Sequence, residues 1–327
     1  MARRDLTVRT ERWPIAGGFR IARGAKTEAE VVVVAISEDG ALGRGESTPY
    51  ARYGETTAGV LVEIDGARAA LEAGASREAL QGLLPAGAAR NALDCALWDL
   101  EAKRSGTPAW RAAGLSGLEP VMTLYTLSLD TPEAMGRAAA NSRRSLLKLK
   151  IDGTRDVERV AAVRAAVPGA RLVVDANEAL SLSGLKALAP ALKDLGVELI
   201  EQPLPAAEDA VLEGYDCPVT LCADESLHSM AELDACARRY GCINVKLDKA
   251  GGLTEALALA AAARSRGLAV MAGCMVATSL SIAPAMLLAQ GAEFVDLDGA
   301  LLLVRDRKPG LAVHGSRLQP PGPDLWG

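Results

Sequence analysis

The chain has 327 residues, half of them hydrophobic, which is long enough for a barrel and a smaller domain with a substantial core. Its formal charge of −5 and aromatic content of 3% argue against a nucleic acid partner, which would require a basic face with stacking side chains. The start of the chain lacks the apolar core of a signal peptide, and no apolar run is long enough to span a bilayer. We therefore expect a cytoplasmic protein that binds small molecules and no membrane, and homo-oligomerisation stays open.

Residues 1–115 predict an α+β domain. Val31–Ile36 is a β-branched run that predicts a strand, whereas Leu61–Leu84 and Asn91–Arg104 have helical spacing of their apolar residues. Glycines and a proline in residues 114–120 interrupt this pattern and mark the boundary to the next domain. We interpret residues 1–115 as an α+β domain ahead of the domain that follows.

Residues 116–309 alternate short apolar runs with alanine-rich helical segments. Charged residues close successive runs at intervals of 25, 26, 23 and 22 residues, and these residues are Lys150, Asp175, Glu201, Asp224 and Lys246. Such a period is the length of one strand plus one helix, so it predicts an α/β fold of the (β/α)8 TIM-barrel type. We expect Val121–Leu127 to be the first barrel strand and Phe294–Asp298 to be the last. Residues 310–327 are expected to pack back on the first domain.

Three of these strand ends carry carboxylates. Alone, each of Asp175, Glu201 and Asp224 could cap the helix that follows it. On three consecutive strands of a barrel, however, they converge on one rim, and a hard cation explains all three together. Mg²⁺ prefers such oxygen ligands, whereas neither histidine belongs to the series and no C-x-x-C pair suggests zinc.

Lys148 and Lys150 are two residues apart on one predicted strand and therefore share a face. The surrounding run is too apolar for two solvated surface lysines, because helices cover such strands from outside. Repulsion between two buried ammonium groups is expected to lower the pKa of one and make it a usable base. Lys246 lies four strands further on, so its amine is expected to face Lys150 across the cavity.

Several motifs together resemble the enolase superfamily, in its muconate-lactonizing subgroup, over nearly the whole chain. They are K-x-K at Lys148, Asp175-Ala176-Asn177, Glu201-Gln202-Pro203, Ala223-Asp224-Glu225-Ser226, and Asn244-Val245-Lys246 followed by Lys249-Ala250-Gly251-Gly252. The helix around Cys95–Lys103 resembles the one that leads from that family's capping domain into its barrel. The resemblance implies that Asp175, Glu201 and Asp224 hold Mg²⁺, that Lys150 and Lys246 are the acid/base pair, and that Lys148 assists electrostatically.

Two further features resemble dipeptide epimerases within this subgroup. Asp296 and Asp298 form a D-x-D motif that in those enzymes holds the free α-ammonium of the substrate, although a helix cap beside a solvated acid is the structural alternative. Residues Phe19–Gly24 look like the mobile capping loop of alanyl-glutamate epimerases, in which Arg23 would bind a side-chain carboxylate of the substrate. Arg20 and Lys26 are competitors for that role. The implied activity is inversion of the α-carbon of the C-terminal residue of a dipeptide, most simply of the L-Ala-L/D-Glu type.

Alternatives in the same subgroup keep both lysines. They are an N-acylamino acid racemase, an o-succinylbenzoate synthase and a lactonizing cycloisomerase, none of which requires a pair of aspartates for an ammonium group. A sugar-acid dehydratase would require a histidine near the seventh strand, where Gly273 and Cys274 stand. One departure from the family concerns Ala277, which stands where a glutamate is frequent and leaves the polar network behind Lys246 open.

Overall fold

The capping domain begins with a three-stranded antiparallel sheet, β1 Asp5–Ile21, β2 Gly24–Glu38 and β3 Ala41–Ser47. The computed structural model describes residues 4–327, so the first three residues of this predicted domain lie outside it. The predicted strand Val31–Ile36 is the buried middle of β2. Val31 and Val33 pack with the barrel core, whereas Val32, Val34 and Ile36 pack with the helices of the cap. Burial on both faces explains why this run is continuously apolar.

Four helices complete the cap, and they are α1 Thr57–Glu72, α2 Arg77–Leu83, α3 Ala88–Ser105 and α4 Ala109–Ala112. The prediction of one helix over Leu61–Leu84 is wrong, because the chain turns at Gly74 with φ of 98°. Ser76 then starts the second helix, since its side chain accepts a hydrogen bond from the backbone N–H of Ala79. The helical spacing of apolar residues continues across Gly74, so the sequence pattern did not indicate the turn.

The barrel has eight strands in the order in which they occur in the chain. They are β5 Tyr125–Leu127, β6 Leu146–Lys150, β7 Arg171–Asp175, β8 Val197–Glu201, β9 Thr220–Ala223, β10 Cys242–Lys246, β11 Ala269–Gly273 and β12 Phe294–Asp296. Seven helices follow or connect them, α5 Pro132–Ser142, α6 Asp156–Ala166, α7 Leu182–Asp194, α8 Leu233–Arg239, α9 Leu247–Ala250, α10 Leu253–Ser265 and α11 Ser279–Ala289. The backbone N–H of Leu124 donates to the carbonyl of Val295 at 2.8 Å and joins the two ends of the sheet.

The first and last predicted barrel strands are shorter than expected. β4, Val121–Met122, lies outside the barrel sheet and pairs instead with β14, Arg317–Leu318. β14 forms a small hairpin with β13, Val313–His314. Further along the C-terminal segment, the indole N–H of Trp326 donates to the carbonyl of Cys95 on α3. Residues 310–327 therefore contact both the start of the barrel and the cap. Within residues 4–327, no helix combines the length and the apolar character needed to cross a membrane.

An apolar layer fills the lower part of the barrel interior. Each strand, or the residue just before it, contributes one side chain, and these are Leu124, Leu146, Val173, Leu199, Cys222, Cys242, Met271 and Phe294. Side chains alternate between the two faces of a strand, so the residue two positions further on also points inward. Those residues form a second, polar layer, consisting of Thr126, Lys148, Asp175, Glu201, Asp224, Asn244, Gly273 and Asp296. All eight are buried, and the polar layer lies directly on the apolar layer.

The approach of α3 to β3 depends on glycine. A Cβ atom on Gly45 would lie 2.0 Å from the carbonyl oxygen of Ala92, whereas a Cβ on Gly66, inside α1, would meet nothing within 4 Å. We therefore expect Gly45→Ala to lower the free energy of unfolding by about 1–3 kcal/mol through overpacking. Gly66→Ala is the matched control and should be neutral or stabilising by up to about 1 kcal/mol, because alanine favours a helix. Chemical denaturation measures both, and equal stability of the two variants would contradict the close packing described.

Candidate active site

A cavity of about 830 Å³ lies between the C-terminal end of the barrel and the capping domain. Seven of the nine predicted site residues line it, namely Lys148, Lys150, Asp224, Lys246, Asp296, Asp298 and Arg23. The other two, Asp175 and Glu201, belong to the polar layer at its base and are 1% and 0% exposed. Residues far apart in the sequence thus meet at one end of the barrel.

Lys148 lies among three carboxylates. Its ammonium nitrogen is 2.7 Å from Oδ2 of Asp296, 2.7 Å from Oε2 of Glu201 and 3.1 Å from Oδ2 of Asp175. Of the two contacts at 2.7 Å, only the one with Asp296 is a hydrogen bond. Oε2 of Glu201 lies close to the ammonium nitrogen but has no hydrogen-bond partner. Lys148 therefore supplies positive charge to the base of the cavity without saturating its acceptors.

Lys150 and Lys246 occupy opposite sides of the cavity. Their strands, β6 and β10, are four positions apart in the eight-stranded sheet, which places them across the barrel from each other. Lys150 donates to Oδ2 of Asp175 at 2.6 Å, and Lys246 donates to Oδ2 of Asp224 at 2.7 Å. Each amine is thus oriented by a different carboxylate, as two bases acting on opposite faces of one substrate require.

The expected lowering of the pKa is not found for Lys148, one of the two adjacent lysines. Burial lowers the pKa of Lys148, but the attraction of Asp296, Glu201 and Asp175 outweighs burial and holds this pKa well above its usual range. The pKa of Lys246 is likewise held well above its usual range, because burial is outweighed by Asp224 and Glu201.

Four lysines surround the three predicted metal ligands. Among residues 4–327 no group of three or more acidic, histidine or cysteine side chains is gathered around one ion position. Lysine ammonium groups lie against the carboxylates instead. Burial and the neighbouring Asp175 raise the pKa of Glu201 to about 8, and its Oε2 atom is buried without a hydrogen-bond partner. All-oxygen donors on three consecutive strands, with one acceptor unsatisfied, fit a hard divalent cation.

Asn244 fixes the remaining oxygen of Glu201. Its side-chain N–H donates to Oε1 of Glu201 at 2.8 Å. The neighbouring strand must leave room for this amide, and a Cβ atom on Gly273 would lie 2.2 Å from Oδ1 of Asn244. A glycine at position 273 therefore allows the asparagine to hold Glu201 in place.

Lys249 is a buried cation to which the sequence gave no role. Its ammonium group donates to Oδ1 and to the backbone carbonyl of Asp224, both at 2.5 Å, and to the carbonyl of Asn244 at 3.0 Å. Asp224 thus has one lysine on each carboxylate oxygen. The short helix α9 brings Lys249 back under Asp224. The K-x-x-K spacing from Lys246 and the motif that begins at Lys249 are the signals in the sequence that could have indicated it.

Asp296 and Asp298 occupy different environments. Oδ2 of Asp296 accepts from Lys148, whereas its Oδ1 atom is buried without a partner. Oδ2 of Asp298 accepts from the backbone N–H of Thr126 at 2.6 Å and so helps to close the barrel seam. Burial and the nearby Asp296 raise the pKa of Asp298 to about 6. The alternative of a helix cap beside a solvated acid is wrong, because the side chain of Asp298 makes no capping bond to the residues after it and both aspartates are buried. Asp296 presents a free acceptor at the cavity.

Arg23 lies in the turn between β1 and β2, above the barrel rim. Its guanidinium donates to Oε1 of Glu225 at 2.7 Å, to Oε2 of Glu178 at 3.0 Å and to the carbonyl of Asn177 at 2.7 Å. The guanidinium of Arg23 is therefore already paired with carboxylates of the barrel. The sequence gave no indication of Glu178 or Glu225 as partners, because the pairs join positions more than 150 residues apart.

The two competitors of Arg23 differ in position. Lys26 lines the cavity and lies 4.8 Å above the ring of Tyr50, whereas Arg20 lies outside the set of lining residues. Tyr50 and Tyr53, from the segment after β3, also line the cavity and were missed by the sequence analysis. No period or motif marks those two tyrosines.

A carboxylate lies next to Ala277 although that residue is not a glutamate. Glu46, on β3 of the cap, accepts hydrogen bonds from the backbone N–H and the hydroxyl of Thr278 and from Arg307. Ala277 itself is fully buried. The acidic group in this region thus comes from the capping domain, and Lys246 is oriented by Asp224 from below.

Two family models cover most of the chain. Residues 3–114 match the mandelate racemase / muconate lactonizing enzyme N-terminal domain, and residues 132–321 match the enolase C-terminal domain-like family. The chain therefore belongs to the enolase superfamily and is an enzyme of its mandelate racemase / muconate lactonizing group. The predicted family and fold class are confirmed.

Relatives within this family narrow the comparison. The chain is 48% identical over 311 residues to an L-Ala-D/L-Glu epimerase of Escherichia coli K12, a match that covers 94% of this chain and 97% of that protein. It is 43% identical over 300 residues to an N-acetyl-D-glutamate racemase of a Pseudoalteromonas species, covering 91% of this chain and 95% of that protein.

Solved structures show the same architecture. An enolase family member from Agrobacterium tumefaciens with homology to dipeptide epimerases, crystallised with sodium and L-Ala-L-Glu, is 47% identical with a TM-score of 0.97; the match covers 99% of this chain and 100% of that one. A dipeptide epimerase from Methylococcus capsulatus, complexed with Mg and L-Arg-D-Lys, is 32% identical with a TM-score of 0.90; 98% of each chain is covered.

Proposed function

We propose that this protein is a Mg²⁺-dependent dipeptide epimerase that inverts the α-carbon of the C-terminal residue, acting on dipeptides of the L-Ala-L/D-Glu type. The observation that carries this proposal is the placement of Lys150 and Lys246 on opposite sides of one cavity. A single base can remove an α-proton, but returning it to the other face requires a second group on that face. The similarity to L-Ala-D/L-Glu epimerase supports the same reaction.

The proton transfers follow from this geometry. The lysine on the same face as the α-proton accepts it in the uncharged form, which a metal ion held by Asp175, Glu201 and Asp224 would favour by neutralising the carboxylates that raise the lysine pKa. The planar intermediate then accepts a proton from the ammonium group on the other side, and the configuration is inverted. Asp175 and Asp224 orient the two amines through the hydrogen bonds described above. The capping domain covers the cavity and limits the access of water to the intermediate.

The residues proposed to hold the metal are Asp175, Glu201 and Asp224. Their oxygens, including the unpartnered Oε2 of Glu201, fit Mg²⁺. When bound, the ion supplies the positive charge that an enediolate dianion requires for stabilisation. Lys148, which already contacts Glu201 and Asp296, adds further positive charge on the same side.

Substrate recognition is proposed to occur at the two ends of the dipeptide. The free Oδ1 of Asp296, beside Asp298, fits an α-ammonium group, because a buried unpaired acceptor gains most from a charged donor. Arg23, at the cap side of the cavity, is proposed to bind a side-chain carboxylate through the terminal nitrogen that donates to Glu225, while the contact of its other terminal nitrogen with Glu178 holds the guanidinium in place.

An N-acylamino acid racemase is the second candidate, and the 43% identity to an N-acetyl-D-glutamate racemase favours it. Such a substrate has the same α-carbon chemistry but no ammonium group for Asp296. An o-succinylbenzoate synthase or a cycloisomerase would also leave that acceptor unpaired. Incubation with a dipeptide library in deuterated water, with α-deuterium incorporation followed by mass spectrometry, tests the proposed function directly.

The metal requirement gives the first prediction on activity. Treatment with EDTA should abolish epimerisation and added Mg²⁺ should restore it. Asp224→Asn should weaken Mg²⁺ binding by at least roughly tenfold, measured by calorimetry. Undiminished turnover after thorough chelation would contradict the role of the three carboxylates.

The two lysines should differ in the epimer that they recognise. Lys150→Ala and Lys246→Ala should each reduce epimerisation by at least roughly a hundredfold, because one base is lost. Each variant should still exchange the α-proton of one epimer with deuterium, and the two should prefer opposite epimers. NMR of the exchange measures this, and near wild-type interconversion in either variant would rule out two bases.

The third prediction concerns the ends of the substrate. L-Ala-L-Glu should be preferred over N-acetyl-L-Glu, because acetylation removes the ammonium group proposed to pair with Asp296. L-Ala-L-Glu should also be preferred over L-Ala-L-Leu, and Arg23→Ala should reduce this second preference by roughly tenfold without eliminating catalysis. Values of kcat/KM measure both effects. An equal or higher value with N-acetyl-L-Glu would move the assignment to the racemase class.

A further inference from the structure

Glu178 is a barrel carboxylate that receives four donors. Arg52 donates to it twice, from Nε at 2.8 Å and from a terminal nitrogen at 2.7 Å, and Arg23 donates once at 3.0 Å. The backbone N–H of Ala206 contributes the fourth bond at 2.9 Å. The side chain of Glu178 is only 8% exposed, whereas those of the two arginines are 27% and 40% exposed.

The two arginines belong to different segments of the cap. Arg23 lies at the tip of the β1–β2 hairpin, and Arg52 lies in the short segment Ala51–Tyr53 after β3. Both segments line the cavity, and Glu178 itself is not among the lining residues. The carboxylate of Glu178 thus binds both segments of the cap that lie over the cavity.

The backbone at this position is held in an unusual conformation. Asn177 and Glu178 have φ of 43° and 71°, a left-handed region that non-glycine residues rarely adopt. Two hydrogen bonds fix the turn, from the N–H of Asn177 to Oδ1 of Asp175 at 2.9 Å and from the N–H of Glu178 to the carbonyl of Gln202 at 2.9 Å. Such strain persists where the surrounding structure imposes it, often at functional sites. Here it directs the Glu178 carboxylate toward the cap.

We propose that Glu178 is a positioning residue that docks the hairpin tip and the Ala51–Tyr53 segment onto the barrel, and so sets the affinity for the substrate. This inference rests on the proposed epimerase function only for its kinetic consequence. Glu178 acts through Arg23 and Arg52 and makes no contact with the reacting carbon. Its loss should therefore change KM more than kcat.

The test compares Glu178→Gln with Glu198→Gln. Glutamine keeps one acceptor for Ala206 and removes the charge. Glu198 is the matched control because it also pairs with one arginine through two nitrogens, Arg171 at 2.7–3.1 Å, but on β8 and outside the set of cavity-lining residues. Arg52→Gln is the second variant, and it removes the pair from the more exposed partner if Glu178→Gln does not fold.

Two readouts are used. Hydrogen exchange of the substrate-free protein, followed by mass spectrometry, should be faster over residues 17–26 and 49–54 in Glu178→Gln and unchanged there in Glu198→Gln. With L-Ala-L-Glu, KM should rise about 3- to 10-fold in Glu178→Gln with kcat changed by less than about twofold, as expected for partly exposed ion pairs. Added NaCl should raise KM of the wild type more than that of Glu178→Gln, because salt screens the same pairs.

The outcomes separate this inference from the function. Unchanged exchange in both segments, or a rise in KM that Glu198→Gln reproduces, would overturn the docking role. A loss of kcat at constant KM would also overturn it and place Glu178 in the chemistry. If the wild type does not turn over the dipeptide while exchange still increases selectively in Glu178→Gln, the proposed function fails and the docking role stands.

Discussion

The placement of buried charge directly on an apolar floor is the constraint on which the rest of this structure depends. The period of two along each strand puts the polar layer one step above the apolar layer from Leu124 to Phe294. Buried charges are costly unless they are paired, so the charged groups of this layer pair with one another and with the lysines that lie beside it. The hydrogen bonds of Lys148, Lys150, Lys246 and Lys249 are the result.

The pairing of these buried charges is incomplete, because the carboxylates outnumber the ammonium groups. Four ammonium groups, of Lys148, Lys150, Lys246 and Lys249, face five carboxylates, of Asp175, Glu201, Asp224, Asp296 and Asp298. The atoms without a hydrogen-bond partner in the polar layer are all acceptors, namely Oε2 of Glu201, Oδ1 of Asn244 and Oδ1 of Asp296. A metal ion and a substrate ammonium group are both cations. The same excess of acceptors therefore fits the proposed cofactor at one side of the cavity and the proposed substrate end at the other.

The sequence predicted the parts of the site that depend on local pattern. A strand and a helix occupy nearly constant length, so the positions of Lys150, Asp175, Glu201, Asp224 and Lys246 at successive strand ends follow from spacing alone. The structure places these five residues at one end of the barrel. Their roles as ligands and bases rest on the chemistry of the residue types and on the family resemblance.

What the sequence did not predict depends on packing between distant segments. Lys249 acts on Asp224 only because α9 turns back under the strand, and Glu178 meets Arg23 only across the interface of two domains. The expected pKa direction was wrong for Lys148 because the adjacent amine is visible in the sequence, whereas the carboxylates around Lys148 come from other strands. The helix break at Gly74 was missed because apolar spacing alone does not reveal a left-handed turn.

The same interface explains why only part of the cap is available to respond to substrate. Close to the barrel the cap is fixed by buried bonds, since Asp248 accepts from the backbone N–H of Thr48 and from the side chain of Asn91, and Arg307 joins Glu46 to Glu11. The tip of the β1–β2 hairpin has no comparable set of buried bonds, and its residues from Gly24 to Glu28 are exposed. Ion pairs with screened, partly exposed arginines hold a segment more weakly than buried bonds do. The cap is thus held by hydrogen bonds near the barrel and by partly exposed ion pairs at the hairpin tip. Displacement of the tip alone would open the cavity without disturbing the lysines below it.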